Sequence, residues 1–265
     1  METDKKGLIS IIIPVLDLER ARRLRQMLRR PPGLPELLRD IERQADVDYE
    51  VVVVCNDVSN SKLLDYVKDS DTVDKFCFNS HNAGVARSWN MGAQLAEGEF
   101  LCFSNDDVEL GAGCLQTLLG VFLDHGNDVG MAGPQGGRFF ANGDPGERLG
   151  LAGEIEEADE ISGWLFMARR EAYDQAGGFD IGFSPAGYEE VDFAFRIRQL
   201  GWRCLVVPQA EAVHHGYSGV SSSNTEIAYL GKRISTDELN RRNRLLFQAK
   251  WDNLSGETGE KRPCG

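Results

Sequence analysis

Short unbroken apolar runs alternate along this chain with stretches of helical periodicity. Residues 8–15 (LISIIIPV), 51–55 (VVVVC), 73–78, 100–103 (FLCF), 129–132, 161–168 (ISGWLFMA) and 203–207 (RCLVV) read as strands, most of them apolar enough to be buried on both faces. Between them, apolar residues recur at helical spacing. Leu24, Met27 and Leu28 form a stripe among Arg20, Arg22, Arg23, Arg25, Arg29 and Arg30, and Pro31-Pro32 closes that helix before a second one from Pro35. Further helices are expected over 62–68, between Gly84 and Gly98, over 114–123 and 170–176, from Glu189 to Gly201, and around 239–250. This alternation predicts an α/β domain with a mostly parallel central sheet flanked by helices. The Gly-rich segment 133–153 reads as a loop long enough to be a lid, and the tail 253–265 as disordered.

Composition narrows the class. A chain of 265 residues with 42% hydrophobic content can bury a large core. Its net charge of -13 argues against a broad nucleic-acid-binding face, so an anionic substrate needs a local cation. There is no apolar run of transmembrane length, and METDKKGL lacks the core of a signal peptide, which leaves a cytoplasmic expectation. The Arg-rich helix could meet an anionic membrane surface or a polyanionic acceptor, although such a helix is more often a solvated face. The six cysteines match neither a zinc site nor a disulfide framework; Cys55, Cys77, Cys102 and Cys204 read as reduced packing residues, while Cys114 and Cys264 are uninformative.

Candidate chemistry gathers where strands end. The run 100–103 leads into Asn105, Asp106 and Asp107, and adjacent carboxylates at a strand's carboxyl end suit a divalent cation that grips a diphosphate. A polar turn uses the same letters. Asn56 and Asp57 close the second strand, where a carboxylate can accept from a base or ribose and an Asx turn is the alternative. Arg87 falls in a helix's first turn, placed to help hold a diphosphate. Of the acidic residues opening the helix at 189, Asp192 is four before Arg196 and tilts towards a structural role. Glu190 has Ala194 at that spacing and is the freer candidate for proton transfer. His214-His215 could supply an imidazole ligand.

These pieces resemble, in order, glycosyltransferase family 2, enzymes of the GT-A fold that use nucleotide sugars. The resemblance runs from about Ser10 to Ser218 through SIIIPVLD, VVVVCNDVSN, HNAGVARSWNMGAQLAEGEF, FSNDDVEL, GWLFMARREAYDQAGGFD with GYEEVDFAFRIRQLGW, and VPQAEAVHHG. It implies one GT-A domain over 1–252, with a nucleotide-sugar half at 8–132 and an acceptor half at 133–252. By similarity Pro14, Val15, Asp57, Asn82, Arg87 and Asp106 surround the donor, and Asp107 and His214 hold Mn2+ or Mg2+, with His215 as alternative. Trp164 and Glu189 would face the acceptor, and Glu190 would be the general base of an inverting transfer. The expected partners are a UDP-, dTDP- or GDP-sugar and a glycan or lipid-linked glycan acceptor. The chain departs from the family pattern at Asn56, Asn105, Leu16-Asp17, and Glu190, where Asp is usual. The departures at Asn56, Asn105 and Glu190 keep a non-catalytic nucleotide-sugar or glycan-binding module as the rival. A nucleotidyltransferase or a dinucleotide-dependent dehydrogenase lacks support, because IIIPVLDLERAR has no glycine after the first strand.

Overall fold

A computed structural model describes residues 7–18, 32–44, 46–139, 144–150, 152–216 and 225–251. The Arg-rich helix expected over 20–30 and the tail 253–265 lie outside the described residues. The first half alternates as the pattern predicts: β1 (Ile9–Val15), α1 (Leu34–Glu42), β2 (Tyr49–Cys55), α2 (Ser61–Lys68), β3 (Lys75–Phe78), α3 (Val85–Leu95) and β4 (Phe100–Ser104). These four strands pair in parallel in the order β3-β2-β1-β4. β1 is apolar on both sides because both are covered. Ile11 and Ile13 join a core with α1, α2 and the later α4 (Cys114–Asp124), while Ile12 packs with Trp89 of α3.

The second half departs from a simple alternation. After β5 (Val108–Leu110) and α4 come β6 (Val129–Gly133), β7 (Gly136–Phe139), β8 (Pro145–Leu149), β9 (Glu156–Glu157), β10 (Glu160–Ile161) and β11 (Leu165–Arg169). Then follow α5 (Arg170–Ala176), α6 (Glu189–Gln199), β12 (Arg203–Val206), β13 (Ala212–His214), the hairpin β14 (Glu226–Tyr229) and β15 (Lys232–Ser235), and α7 (Thr236–Trp251). The main sheet continues β4-β11-β6-β12-β9, with β11 antiparallel to both β4 and β6. Two small sheets, β10-β7-β8 and β13-β5, sit beside it.

The structure departs from two expectations. The segment 133–153 is not a structureless lid, since its described residues form β7 and β8 within a three-stranded sheet. Gly133, Gly136 and Gly150 serve close packing. A Cβ on Gly136 would lie 2.3 Å from the Glu160 carbonyl oxygen, so composition that looks like loop is the signature of a crowded strand. The run 161–168 is likewise not one strand, because Ser162 to Trp164 break it between β10 and β11.

The described cysteines are free, as expected, and the four in or beside the core, Cys55, Cys102, Cys114 and Cys204, are buried. Burial pushes the Cys55 thiol up to about 11 and those of Cys114 and Cys204 up to about 12, so these groups are inert.

Helix α3 seats on the sheet through Trp89, whose ring centroid lies 5.0 Å from Phe179, 5.4 Å from Phe166 and 5.5 Å from Phe103. Gly92 on the same face leaves no room for a methyl group, as its Cβ would come within 2.3 Å of the Ile12 Cγ2. Gly92→Ala should therefore destabilise the fold by about 1–3 kcal/mol in urea titrations, because overpacking outweighs the helix propensity gained. A variant as stable as the parent or more so would mean that this contact is looser than described.

Candidate active site

The site is built where β4 stops. Asn105, Asp106 and Asp107 occupy the step from β4 to β5, and both aspartates are buried. The antiparallel partner β11 begins opposite this point, with Leu165 facing Ser104, and the Asn105 N–H donates to the Trp164 carbonyl at 2.9 Å. The strand β13 falls in the segment that resembles a closing strand with its histidine, and it pairs with β5, a partner that sequence reasoning did not assign, so that His214 faces Val108. This brings the His214 Nε2 to 3.4 Å from the Asp107 Oδ1. The Trp164 ring lies parallel to the imidazole, at 1° and 5.5 Å between centroids, and the Asn105 amide is 3.4 Å from the same Nε2.

The two histidines are thereby distinguished. His215 donates its backbone N–H to the Asp107 carbonyl at 3.1 Å, while its ring pairs with Glu109 at 3.2 Å. Of the two imidazoles, His214 is thus the one on Asp107.

Gly163, next to Trp164, connects this corner to the acidic helix. A Cβ on Gly163 would meet the Glu190 Cδ at 2.9 Å, so only glycine lets the carboxyl lie against the backbone there. Burial raises the proton affinity of Glu190, against the opposing pull of backbone N–H groups, that of Gly163 among them. Glu189 is raised well above the ordinary range by burial and by the charge of Glu190, and its buried Oε2 has no hydrogen-bond partner among the described residues. Glu160 on β10 joins this group, and burial, then the nearby Glu190, push its carboxyl up to about 8. Sequence reasoning missed Glu160, because it lies thirty residues before Glu190 in a segment read as loop and strand.

Asp192 has the structural role its spacing suggested. Its side chain is wholly buried and receives Arg196 at 2.8 Å, Lys250 at 2.8 Å and the Trp251 indole at 3.1 Å, which ties α6 to α7. Helix α7 also fixes the turn before Glu189. The buried Asn243 amide faces the carbonyls of Phe183, Ala186 and Gly187 at 2.6, 3.0 and 2.8 Å. That turn ends at Tyr188, held at φ 75°, a left-handed conformation that a non-glycine residue adopts only when its surroundings impose it.

The remaining donor-side candidates line the neighbouring strand ends. Pro14 and Val15 close β1 opposite Val54 and Cys55 of β2. Asp57 accepts from the Ser59 N–H at 2.9 Å and from its hydroxyl at 2.6 Å, the Asx turn that was its alternative reading. Asn56 is a buried clip whose amide donates to the Ser88 hydroxyl at 2.9 Å and whose oxygen receives Asn79 at 2.9 Å. The family's usual Asp has no amide to donate. Asn82 and Arg87 stand at the start of α3 and reach the β14–β15 hairpin.

A family profile described as Glycosyl transferase family 2 matches residues 27–177, more than half of the chain, and ends before Glu189. A probable N-acetylgalactosaminyltransferase 6 of Caenorhabditis elegans is 25% identical over 222 residues, 69% of this chain and 36% of that protein. A GalNAc(5)-diNAcBac-PP-undecaprenol beta-1,3-glucosyltransferase of Campylobacter jejuni is 30% identical over 114 residues, 42% of this chain and 33% of the relative. The chain thus spans about a third of the length of these two relatives. Among solved structures, GalNAc-T7 with UDP, GalNAc and Mn2+ superposes with a TM-score of 0.59 at 17% identity, over 80% of this chain and 44% of that one.

The raised carboxyl of Glu160 predicts a pH dependence of stability. Its proton is held in the folded chain up to about 8 but leaves the unfolded chain near its ordinary 4.5, so stability falls as pH rises through that window. Against melting curves of the parent from pH 4 to 9, Glu160→Gln should match at pH 4 and lose less stability by pH 8. Parallel curves throughout would show that Glu160 ionises normally.

Proposed function

The chain belongs to glycosyl transferase family 2, and on that premise we propose that it transfers a sugar from a nucleotide sugar to a hydroxyl of a glycan or lipid-linked glycan, with inversion. The observation that carries this reading is the continuity of two chemistries. Asp107 and His214 face each other at 3.4 Å, and Trp164-Gly163 leads from His214 directly to the Glu190 carboxyl.

The pair fits a divalent cation. Two donors 3.4 Å apart can share an ion at about 2.1 Å from each, the usual range for Mn2+-, Mg2+- or Zn2+-type ligation. Among the described residues no third His, Cys, Asp or Glu completes a cluster with them. Asp107 and His214 would hold Mn2+ or Mg2+, with Asp106 beside them at the ribose or diphosphate. When bound, the ion supplies charge compensation for the departing nucleoside diphosphate.

The chain's own residues do the rest. Asp57 and the ends of β1 at Pro14 and Val15 border the nucleoside, while Asn82 and Arg87 border the diphosphate. Glu190 removes the proton from the acceptor hydroxyl as that oxygen bonds to the anomeric carbon, and the bond to the nucleoside diphosphate breaks on the opposite face. A carboxylate whose proton affinity is raised by burial is suited to this work near neutral pH. Trp164 and Glu189 act on the acceptor side, the first stacked on the His214 ring and the second beside Glu190, where burial and the Glu190 charge favour its protonated form. A donor carrying UDP, dTDP or GDP agrees with the UDP in the GalNAc-T7 structure, and the undecaprenol-linked substrate named for the Campylobacter relative supports a lipid-linked acceptor. No helix among the described residues is long and apolar enough to cross a membrane, so a lipid-linked acceptor would be met at the membrane surface, on the cytoplasmic side in this reading.

A panel of UDP-, dTDP- and GDP-sugars with Mn2+, scored by nucleoside diphosphate release, should identify one donor class. Glu190→Gln should lower release by at least about 100-fold while leaving nucleotide binding within twofold. Turnover at the parent rate would remove Glu190 from the role of base, and binding without release for every donor and acceptor tried would favour a binding module.

A further inference from the structure

We propose that Tyr229, at the tip of the β14–β15 hairpin, is a donor-binding residue that shares the nucleoside diphosphate with Arg87. The inference rests on the nucleotide-sugar reading above and adds an element to it from the far end of the chain.

The hairpin does not merely lie on the surface. Its tip is bonded to the start of α3 at three points: the Leu230 N–H donates to the Asn82 carbonyl at 3.0 Å, the Asn82 amide donates to the Ala228 carbonyl at 2.9 Å, and the Arg87 Nε donates to the Tyr229 hydroxyl at 3.4 Å. The turn that presents the tip is specified as well. Leu230 sits at φ 46° and Gly231 at φ 74°, the pair of left-handed residues that a tight two-residue hairpin turn requires. At the hairpin's base, Thr225 and Thr236 exchange hydrogen bonds, the Thr236 N–H to the Thr225 carbonyl at 2.9 Å and the Thr225 N–H to the Thr236 hydroxyl at 3.1 Å.

The chemistry at the junction is that of an anion site. The Tyr229 oxygen accepts from Arg87, so its own proton is left to donate to a further acceptor. Among the described residues Arg87 forms no ion pair, whereas Arg196, Arg198 and Arg203 are each matched by an aspartate at 2.7–2.8 Å. In a chain of net charge -13, a part-buried guanidinium without a carboxylate, beside a tyrosine hydroxyl, presents donors where a phosphate oxygen can be received. The backbone clamp through Asn82 fixes the distance between these donors without using either of them.

Calorimetric titration with UDP, GDP and dTDP, each with Mn2+, identifies the tightest binder, and the matching nucleoside serves as control. Tyr229→Phe should weaken diphosphate binding by about three- to tenfold and leave nucleoside binding and the melting temperature unchanged. Arg87→Ala should weaken it by at least about tenfold, and the double variant should lose little more than Arg87→Ala alone. Diphosphate binding at parent strength in Tyr229→Phe, with Arg87→Ala impaired, would overturn the role of Tyr229 and leave the donor site standing. Equal losses for nucleoside and diphosphate would reduce the hairpin to a packing element and overturn it too. A parent protein that binds none of the three diphosphates would overturn both this inference and the nucleotide-sugar reading.

Discussion

The antiparallel register of β11 on β4 is the constraint on which the site depends. Parallel strands alone would bring the ends of β1, β2 and β4 to one edge, which suffices for a nucleotide. Running β11 the other way starts a strand at that same edge, opposite Ser104, and the Asn105-to-Trp164 hydrogen bond locks the two ends together. Trp164 thereby reaches His214, and Gly163 reaches Glu190. A slip of one residue would turn every side chain of β11 to the other face, and the two corners would lose their link.

Around that edge the charges are sorted. Glu160, Glu189 and Glu190 crowd where burial favours their protonated forms, while Asp192 beside them is neutralised by Arg196 and Lys250. The difference follows from which partners each element supplies. Asp192 points towards Lys250 and Trp251 of α7, whereas Glu190 lies against Gly163 in the Ser162–Trp164 break and its charge acts on Glu160 of β10. A helix that begins with three acidic residues thus divides them between holding the fold and holding a proton.

Much of the fold was legible because buried parallel strands must be continuous apolar runs, and β1, β2 and β4 are such runs. Asp107 was legible for a related reason, since it follows β4 directly. The ion pair of Asp192 could also be read, because a pair at four-residue spacing is visible in sequence. Three-residue strands carry no comparable signal, so the β5–β13 pairing that delivers His214 to Asp107 was hidden, and resemblance alone suggested it. The Gly-rich stretch misled because glycine reports two different demands. At Gly136 it answers the Glu160 carbonyl at a crowded strand crossing and has nothing to do with a mobile loop.

In the proposed function Asp107 and His214 share a cation that carries the donor's diphosphate. The most direct measurement is a crystal structure of the chain soaked with Mn2+ and its preferred nucleoside diphosphate, with data collected at the manganese absorption edge. One anomalous peak is expected within about 2.3 Å of both the Asp107 carboxylate and the His214 Nε2, with diphosphate oxygens beside it. A nucleotide bound at this edge with the manganese elsewhere, or with Asp107 and His214 still paired to each other and no peak between them, would contradict it.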